Sequence, residues 1–168
     1  SLYESSKLLK ARVGSPLEPQ QIIDQITDGV LAQLEKEIIW RPGARQLLQL
    51  LKDNNVRTAL VTGSMHRMAQ TVADQIGFDA FDVIVGGDDV INGKPHPESY
   101  LRAAQMLGVD PTNCVAFEDS LTGISAAEAA GTRAVGIPHI VEIPAAEGRI
   151  LWPTLEGVTM ADLKALFA

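Results

Sequence analysis

An α/β fold built on an open parallel sheet is what this sequence predicts, and three observations predict it. From Arg41 onward, short aliphatic and β-branched runs alternate with amphipathic stretches at helical spacing. Gly77, Gly108 and Gly131 each follow the last apolar turn of such a stretch, where the left-handed conformation that ends a helix suits glycine. Ahead of these units, Ser1 to Ile39 carries helical periodicity alone, so an all-helical region precedes the alternating one.

In chain order, Leu2, Leu8 and Leu9 mark a first helix, and Ile22, Ile23, Ile26, Val30, Leu31, Leu34 and Ile38 mark a second. Spacings of three and four put the latter set on one apolar stripe. Gly14-Ser15-Pro16 separates the two helices, and the breaker cluster Trp40-Arg41-Pro42-Gly43 closes the region. This places a domain boundary between residues 1–39 and 40–168. Strands are expected at Arg57–Thr62, Val83–Val85, Cys114–Glu118 and Arg133–Ile137. Helices are expected between them at Ala44–Lys52, His66–Ile76, Glu98–Leu107 and Ile124–Ala130. Residues 138–158 are rich in Pro and Gly and read as loop, after which Thr159-Met160-Ala161-Asp162 has the form of a capping box opening a last short helix.

The composition narrows the partners. With 168 residues, 46% hydrophobic and 21% charged, the chain is long enough for one well-cored domain and is not of disordered type. Its 21 acidic against 14 basic residues give a net charge of −7 without a Lys/Arg run, which argues against a nucleic acid partner and favours a small metabolite. The apolar runs are well short of the ~18 residues of a membrane span, so no membrane partner is expected. A single cysteine, Cys114, cannot form an internal disulfide, and a reducing cytoplasm is the expected compartment.

In an open parallel sheet, ligands gather at the carboxyl ends of the strands, so the residues following each strand carry the chemistry. The first strand runs into Thr62-Gly63-Ser64, where a hydroxyl, a flexible backbone and nearby helix N-terminal amides would suit a phosphate-sized anion. The competing reading is that Ser64 is an N-cap of the next helix and Gly63 a turn residue. Lys94, between Gly93 and Pro95, sits in a stiff loop where an ammonium neutralises a phosphate, or is simply solvated. His96 in the same loop reads as exposed or capping rather than as a ligand. The third strand ends in Glu118-Asp119-Ser120; two adjacent carboxylates at the end of a buried strand need a balancing cation, and a hard ion such as Mg²⁺ takes such ligands. The competing reading is that Asp119 or Ser120 caps the next helix. Neither a Walker A loop nor a Gly-x-Gly-x-x-Gly fingerprint is present, since Pro95 follows Gly93-Lys94.

Thr62-Gly63-Ser64, Lys94 in Gly-Lys-Pro-x-Pro-Glu, and Phe117-Glu118-Asp119-Ser120-x-x-Gly-x-x-Ala-Ala-x-Ala-Ala-Gly131, in this order, resemble the haloacid dehalogenase superfamily of phosphatases. Within it, the chain is similar to the β-phosphoglucomutase-like members with a helical cap. The resemblance implies a Rossmann-like core over residues 40–168 and part of a helical cap over residues 1–39. It also implies that Thr62, Gly63 and Ser64 hold the phosphoryl group, that Lys94 balances charge between phosphate and nucleophile, and that Asp119 and Glu118 hold Mg²⁺. The implied reaction is phosphomonoester hydrolysis of a small phosphorylated metabolite through an aspartyl-phosphate, one Asp attacking phosphorus and a second, two residues on, serving as acid and base. A sugar phosphomutase and a non-catalytic phosphate-binding relative are the alternatives, with a metal-free dehalogenase a weaker third.

The Asp-x-Asp pair of that family occurs nowhere in residues 1–168. Its nearest imitation, Ile26-Thr27-Asp28-Gly29, has Ile26 at the nucleophile position within a helical stripe. In the family the pair lies on a first strand at the middle of the sheet, so the resemblance implies that an N-terminal segment outside this chain supplies it. Residues 1–168 alone are then expected to be inactive. Their strands are expected to form two separate pairs with unpaired inner edges.

Overall fold

The structure, a computed structural model, describes residues 2–34 and 38–168. Helices α1 (Leu2–Val13) and α2 (Pro19–Leu34) pack on each other, and α3 (Ala44–Asp53) opens the alternating part. Then follow β1 (Ala59–Val61), α4 (His66–Gln75), β2 (Val83–Val85), α5 (Glu98–Leu107), β3 (Val115–Glu118), α6 (Leu121–Ala129) and β4 (Arg133–Gly136). The chain ends with β5 (Ile150–Leu151) and α7 (Met160–Ala165). The fold is α/β with parallel strands, as the alternation predicts.

The strands form two sheets. β1 pairs with β2 in parallel, Ala59 opposite Val83 and Val61 opposite Val85. β3 pairs with β4, Val115 opposite Arg133 and Glu118 opposite Gly136, and β4 pairs in turn with β5. Among the described residues no ladder joins β1 to β3. An apolar cavity of about 610 Å³ lies there, lined by Leu60 and Val61 of β1, Ala116 and Phe117 of β3, and Ala103, Ala104 and Leu107 of α5.

Local chemistry accounts for the elements. Gly77, Gly108 and Gly131 all adopt the left-handed conformation expected after α4, α5 and α6. Thr159 and Asp162 exchange both hydrogen bonds of a capping box. Helix α6 buries Gly123, Ile124, Ala126 and Ala127, and these small residues let it approach β3 and β4 closely. The core gathers around this helix, with Tyr100, Ala116 and Ala134 packed against it.

Two expectations need correction, and the second helix's stripe gains detail. The span read as loop over residues 138–158 contains β5; a two-residue strand is too short for periodicity to reveal. Helix α6 starts at Leu121, three residues before Ile124, because Ser120 accepts the Gly123 amide and opens it there. The stripe of the second helix is only partly buried: Ile22 and Ile23 are inside, whereas Ile26 is 54% exposed and Val30 is exposed. Neighbours α1 and α4 cover only one side of α2, and Leu8 of α1 is likewise 73% exposed. The expected end of this helix at Ile39 crosses residues 35–37, which lie outside the described residues; Ile38 and Ile39 are irregular. The Ile26-Thr27-Asp28-Gly29 imitation lies inside α2, as expected.

Candidate active site

Because β1, β2 and β3 are parallel within their sheets, the loops that follow them carry the polar residues singled out in the sequence. One side chain connects them. Lys94, in the loop after β2, donates from Nζ to the Val61 carbonyl at 3.1 Å and also to Glu118 Oε1. It thus spans from the residue before Thr62 to the residue before Asp119, across the seam between the two sheets. The ion pair is largely removed from water, Lys94 being 15% and Glu118 8% exposed at the side chain. Its loop is held in shape by Glu98, which accepts from the Ile91 and Asn92 amides at 2.7 and 3.0 Å.

Sequence reasoning missed a third member of this cluster. The Tyr100 hydroxyl lies 3.4 Å from Lys94 Nζ and donates to Glu118 Oε1, while the ammonium sits 4.9 Å from the Tyr100 ring centroid. Burial, followed by the Glu118 charge, pushes the phenol well above its ordinary pKa, so it remains a donor. Tyr100 reads in the sequence as one more apolar residue of the α5 stripe, and its partner is distant in the chain.

Glu118 needs room on its other side. A Cβ on Gly123 would stand 1.9 Å from Glu118 Oε2, so the first turn of α6 must carry glycine for the carboxylate to lie there. The capping alternative for the acidic segment is settled for one residue: Ser120 Oγ accepts the Gly123 amide at 3.2 Å and is the cap of α6. Asp119 does not cap. It is 57% exposed, and Arg41 Nη1 stands 4.0 Å from its Oδ2. Arg41 is itself fixed by the carbonyls of Ile137 and Pro138 at 3.0 and 3.2 Å, a contact that its place in a breaker cluster does not reveal.

The Thr62 amide donates to Val85 at 2.9 Å, continuing the ladder of β1 with β2 by one residue. Its Oγ1 accepts from the Ser64 amide at 3.1 Å, so that amide is engaged within the loop itself. Gly63 is exposed, and a Cβ there would meet nothing within 4 Å. His96 is exposed, one of the two readings the sequence offered, and its Nδ1 accepts the Glu98 amide at 3.3 Å beside the Pro97 cap position of α5. The result is a polar rim at the ends of β1 and β3. An ammonium bridges the two strand ends, and an accessible carboxylate lies beside them.

The fold and this rim describe an α/β protein with a polar site at the carboxyl ends of its strands. Residues 4–131 match the haloacid dehalogenase-like hydrolases, and the chain belongs to that family. The family read from the motifs is thereby confirmed. Hexitol phosphatase B of Escherichia coli K12 is 32% identical over 120 residues, covering 71% of this chain and 54% of that protein. A phosphorylated carbohydrates phosphatase of Thermotoga maritima is 40% identical over 112 residues, covering 66% and 50%. The chain thus spans about half the length of these curated relatives. Among solved structures, CbbY of Rhodobacter sphaeroides in complex with phosphate matches with a TM-score of 0.79 at 32% identity, over 89% of this chain and 70% of that one. The β-phosphoglucomutase of Clostridium difficile matches with a TM-score of 0.83 over 99% of this chain and 77% of that one; at 24% identity it speaks for the fold.

Proposed function

We propose that the protein is a Mg²⁺-dependent phosphomonoester hydrolase of a small phosphorylated metabolite, and that residues 1–168 carry its phosphate and cation groups. The observation behind this reading is the reach of Lys94 from the end of β1 to Glu118 at the end of β3. An ammonium in that position contacts the residues immediately before Thr62 and Asp119, where it would offset the charge of a phosphoryl group held by Thr62, Gly63 and Ser64.

The donor set suits a hard cation. Glu118 and Asp119 offer oxygen alone, and Mg²⁺ is commonly held by one or two carboxylates, with water and substrate phosphate completing its shell. Among the described residues no group of three or more His, Cys, Asp or Glu side chains converges, so this pair would supply the chain's share of the ligands. When bound, the ion would supply electrostatic stabilisation to the phosphoryl oxygens.

We place the nucleophile on a strand outside residues 1–168, seated in the apolar cavity between β1 and β3. An Asp carboxylate on that strand attacks phosphorus, the P–O bond to the leaving group breaks, and a second Asp protonates the departing oxygen. The same group then takes a proton from water, whose oxygen attacks phosphorus and releases phosphate and free Asp. On this reading residues 1–39 belong to a cap domain and residues 40–168 to the core. A cytoplasmic setting belongs to the same reading, on the lone half-buried Cys114.

The test is phosphate release from a series of small phosphate esters by the complete protein, with Mg²⁺ and with chelator. Release that requires Mg²⁺ is expected, with losses of about 10²-fold or more in Lys94→Ala and Asp119→Ala. Near-normal turnover in both variants would contradict the site. Phosphate binding without turnover of any ester would favour the non-catalytic alternative.

A further inference from the structure

Behind the Thr62–Ser64 loop lies a group of contacts that the proposed reaction does not use. The Gly87 amide donates to the Ser64 carbonyl at 2.7 Å. A Cβ on Gly87 would stand 2.4 Å from the Gly63 carbonyl oxygen, and one on Gly86 would stand 2.5 Å from the His66 nitrogen. The loop after β2 therefore lies directly against the loop after β1, and both glycines are needed for that approach.

His66 closes the contact at two points. Its backbone N–H donates to Asp88 Oδ1 at 2.6 Å. Its ring Nδ1 stands 2.5 Å from Asp89 Oδ2, the oxygen that also accepts the Gly86 amide at 2.7 Å. Burial pushes Asp89 up, but the hydrogen bonds from His66 and Gly86 outweigh it and hold the carboxyl below its ordinary value. An ionised Asp89 only accepts, so Nδ1 is the donor in this contact. The cap residue of α4, Met65, has no side-chain oxygen, and Asp88 satisfies the first amide of the helix from the neighbouring loop.

We infer that His66, with Asp88 and Asp89, is a positioning group for phosphate, locking Thr62-Gly63-Ser64 to the loop after β2 in the shape that receives the anion. Gly63 carries no side chain to fix the loop, whose shape is held instead by the close approach of Gly87 to the Gly63 carbonyl and by the contacts at Ser64 and His66. None of His66, Asp88 and Asp89 is among the residues assigned to the phosphoryl group. The lock acts through the backbone, as the outer partners of metal ligands act through those ligands, where their loss commonly lowers affinity about 10- to 100-fold.

This inference rests on the phosphate reading of Thr62–Ser64. Its test uses the complete protein, with inorganic phosphate and Mg²⁺ titrated separately by calorimetry, and with KM for a phosphate ester. His66→Leu is expected to weaken phosphate about 10-fold or more and to raise KM in step, leaving Mg²⁺ affinity unchanged. His66→Asn, whose amide nitrogen falls near the Nδ1 position, is expected to stay close to the wild type. A merely structural lesion would weaken both ligands and would not distinguish Asn from Leu, and that pattern would overturn the inference. Asp88→Ala, at an exposed position, gives the same comparison if His66→Leu does not fold. Wild-type protein that binds no phosphate would sink the phosphate reading together with this one. Wild-type affinity retained in both His66→Leu and Asp88→Ala would sink this one alone.

Discussion

Strands β4 and β1 are both short, aliphatic and parallel to their neighbours, yet they are buried to different depths. In β4, Ala134, Val135 and Gly136 are buried, with β3 on one side and β5 on the other. In β1, Ala59, Leu60 and Val61 are all half-buried, with β2 as their ladder partner. The difference follows from what stands at the second edge. The half of the molecule around α6 closes its own core; the half around β1 meets that core across the apolar cavity, and the polar rim lies at the same seam.

The largest test of this contrast compares two core truncations by denaturant unfolding of the complete protein. Ile124→Ala, at a fully buried position, is expected to cost about 2–5 kcal/mol. If a strand seats beside β1, Leu60→Ala should approach that cost. A value below about 1 kcal/mol would mean that the β1 edge stays open to water.

A pair of glycines sharpens the contrast between packing and site. On Gly136 a Cβ would come within 2.7 to 3.0 Å of Leu151, Ile124 and Ile143, so Gly136→Ala should overpack the closed half by about 1–3 kcal/mol. Gly123→Ala instead drives a methyl into Glu118, the end of a side chain that Lys94 and Tyr100 hold. Its turnover should fall about 10²-fold, more than its thermal stability would suggest. Equal turnover in the two variants would show that the position of Glu118 is unimportant to the reaction.

The smallest effect is acid sensitivity in the β1–β2 half. Asp89 titrates below its ordinary 3.8 in the folded protein, so its contribution is complete above that value and is lost as pH falls through the lower folded one. Unfolding measured between pH 5 and pH 2 should therefore decline less steeply in Asp89→Ala than in the wild type. Parallel curves would remove Asp89 from the acid response.

Much of the fold was legible because local signals agreed. Gly77, Gly108 and Gly131 stop helices by backbone conformation alone, and Thr159 with Asp162 forms its cap within one turn. What escaped depends on contacts between distant segments. Two-residue β5 pairs along the edge that β4 offers it, and Ile26 is exposed although it belongs to the α2 stripe, since among the described residues α1 and α4 are the main neighbours of α2. At the rim, Lys94, Glu118 and Asp119 were visible as charges out of place. Tyr100 and Arg41 were not, since their partners lie 18 and 96 residues away.

The most direct measurement of the central claim is the affinity of the complete protein for inorganic phosphate, with and without Mg²⁺, in the wild type and in Lys94→Ala. Mg²⁺ is expected to tighten phosphate binding in the wild type, and Lys94→Ala to weaken it about 10-fold or more. Equal phosphate affinity in both proteins, unaffected by Mg²⁺, would contradict the claim.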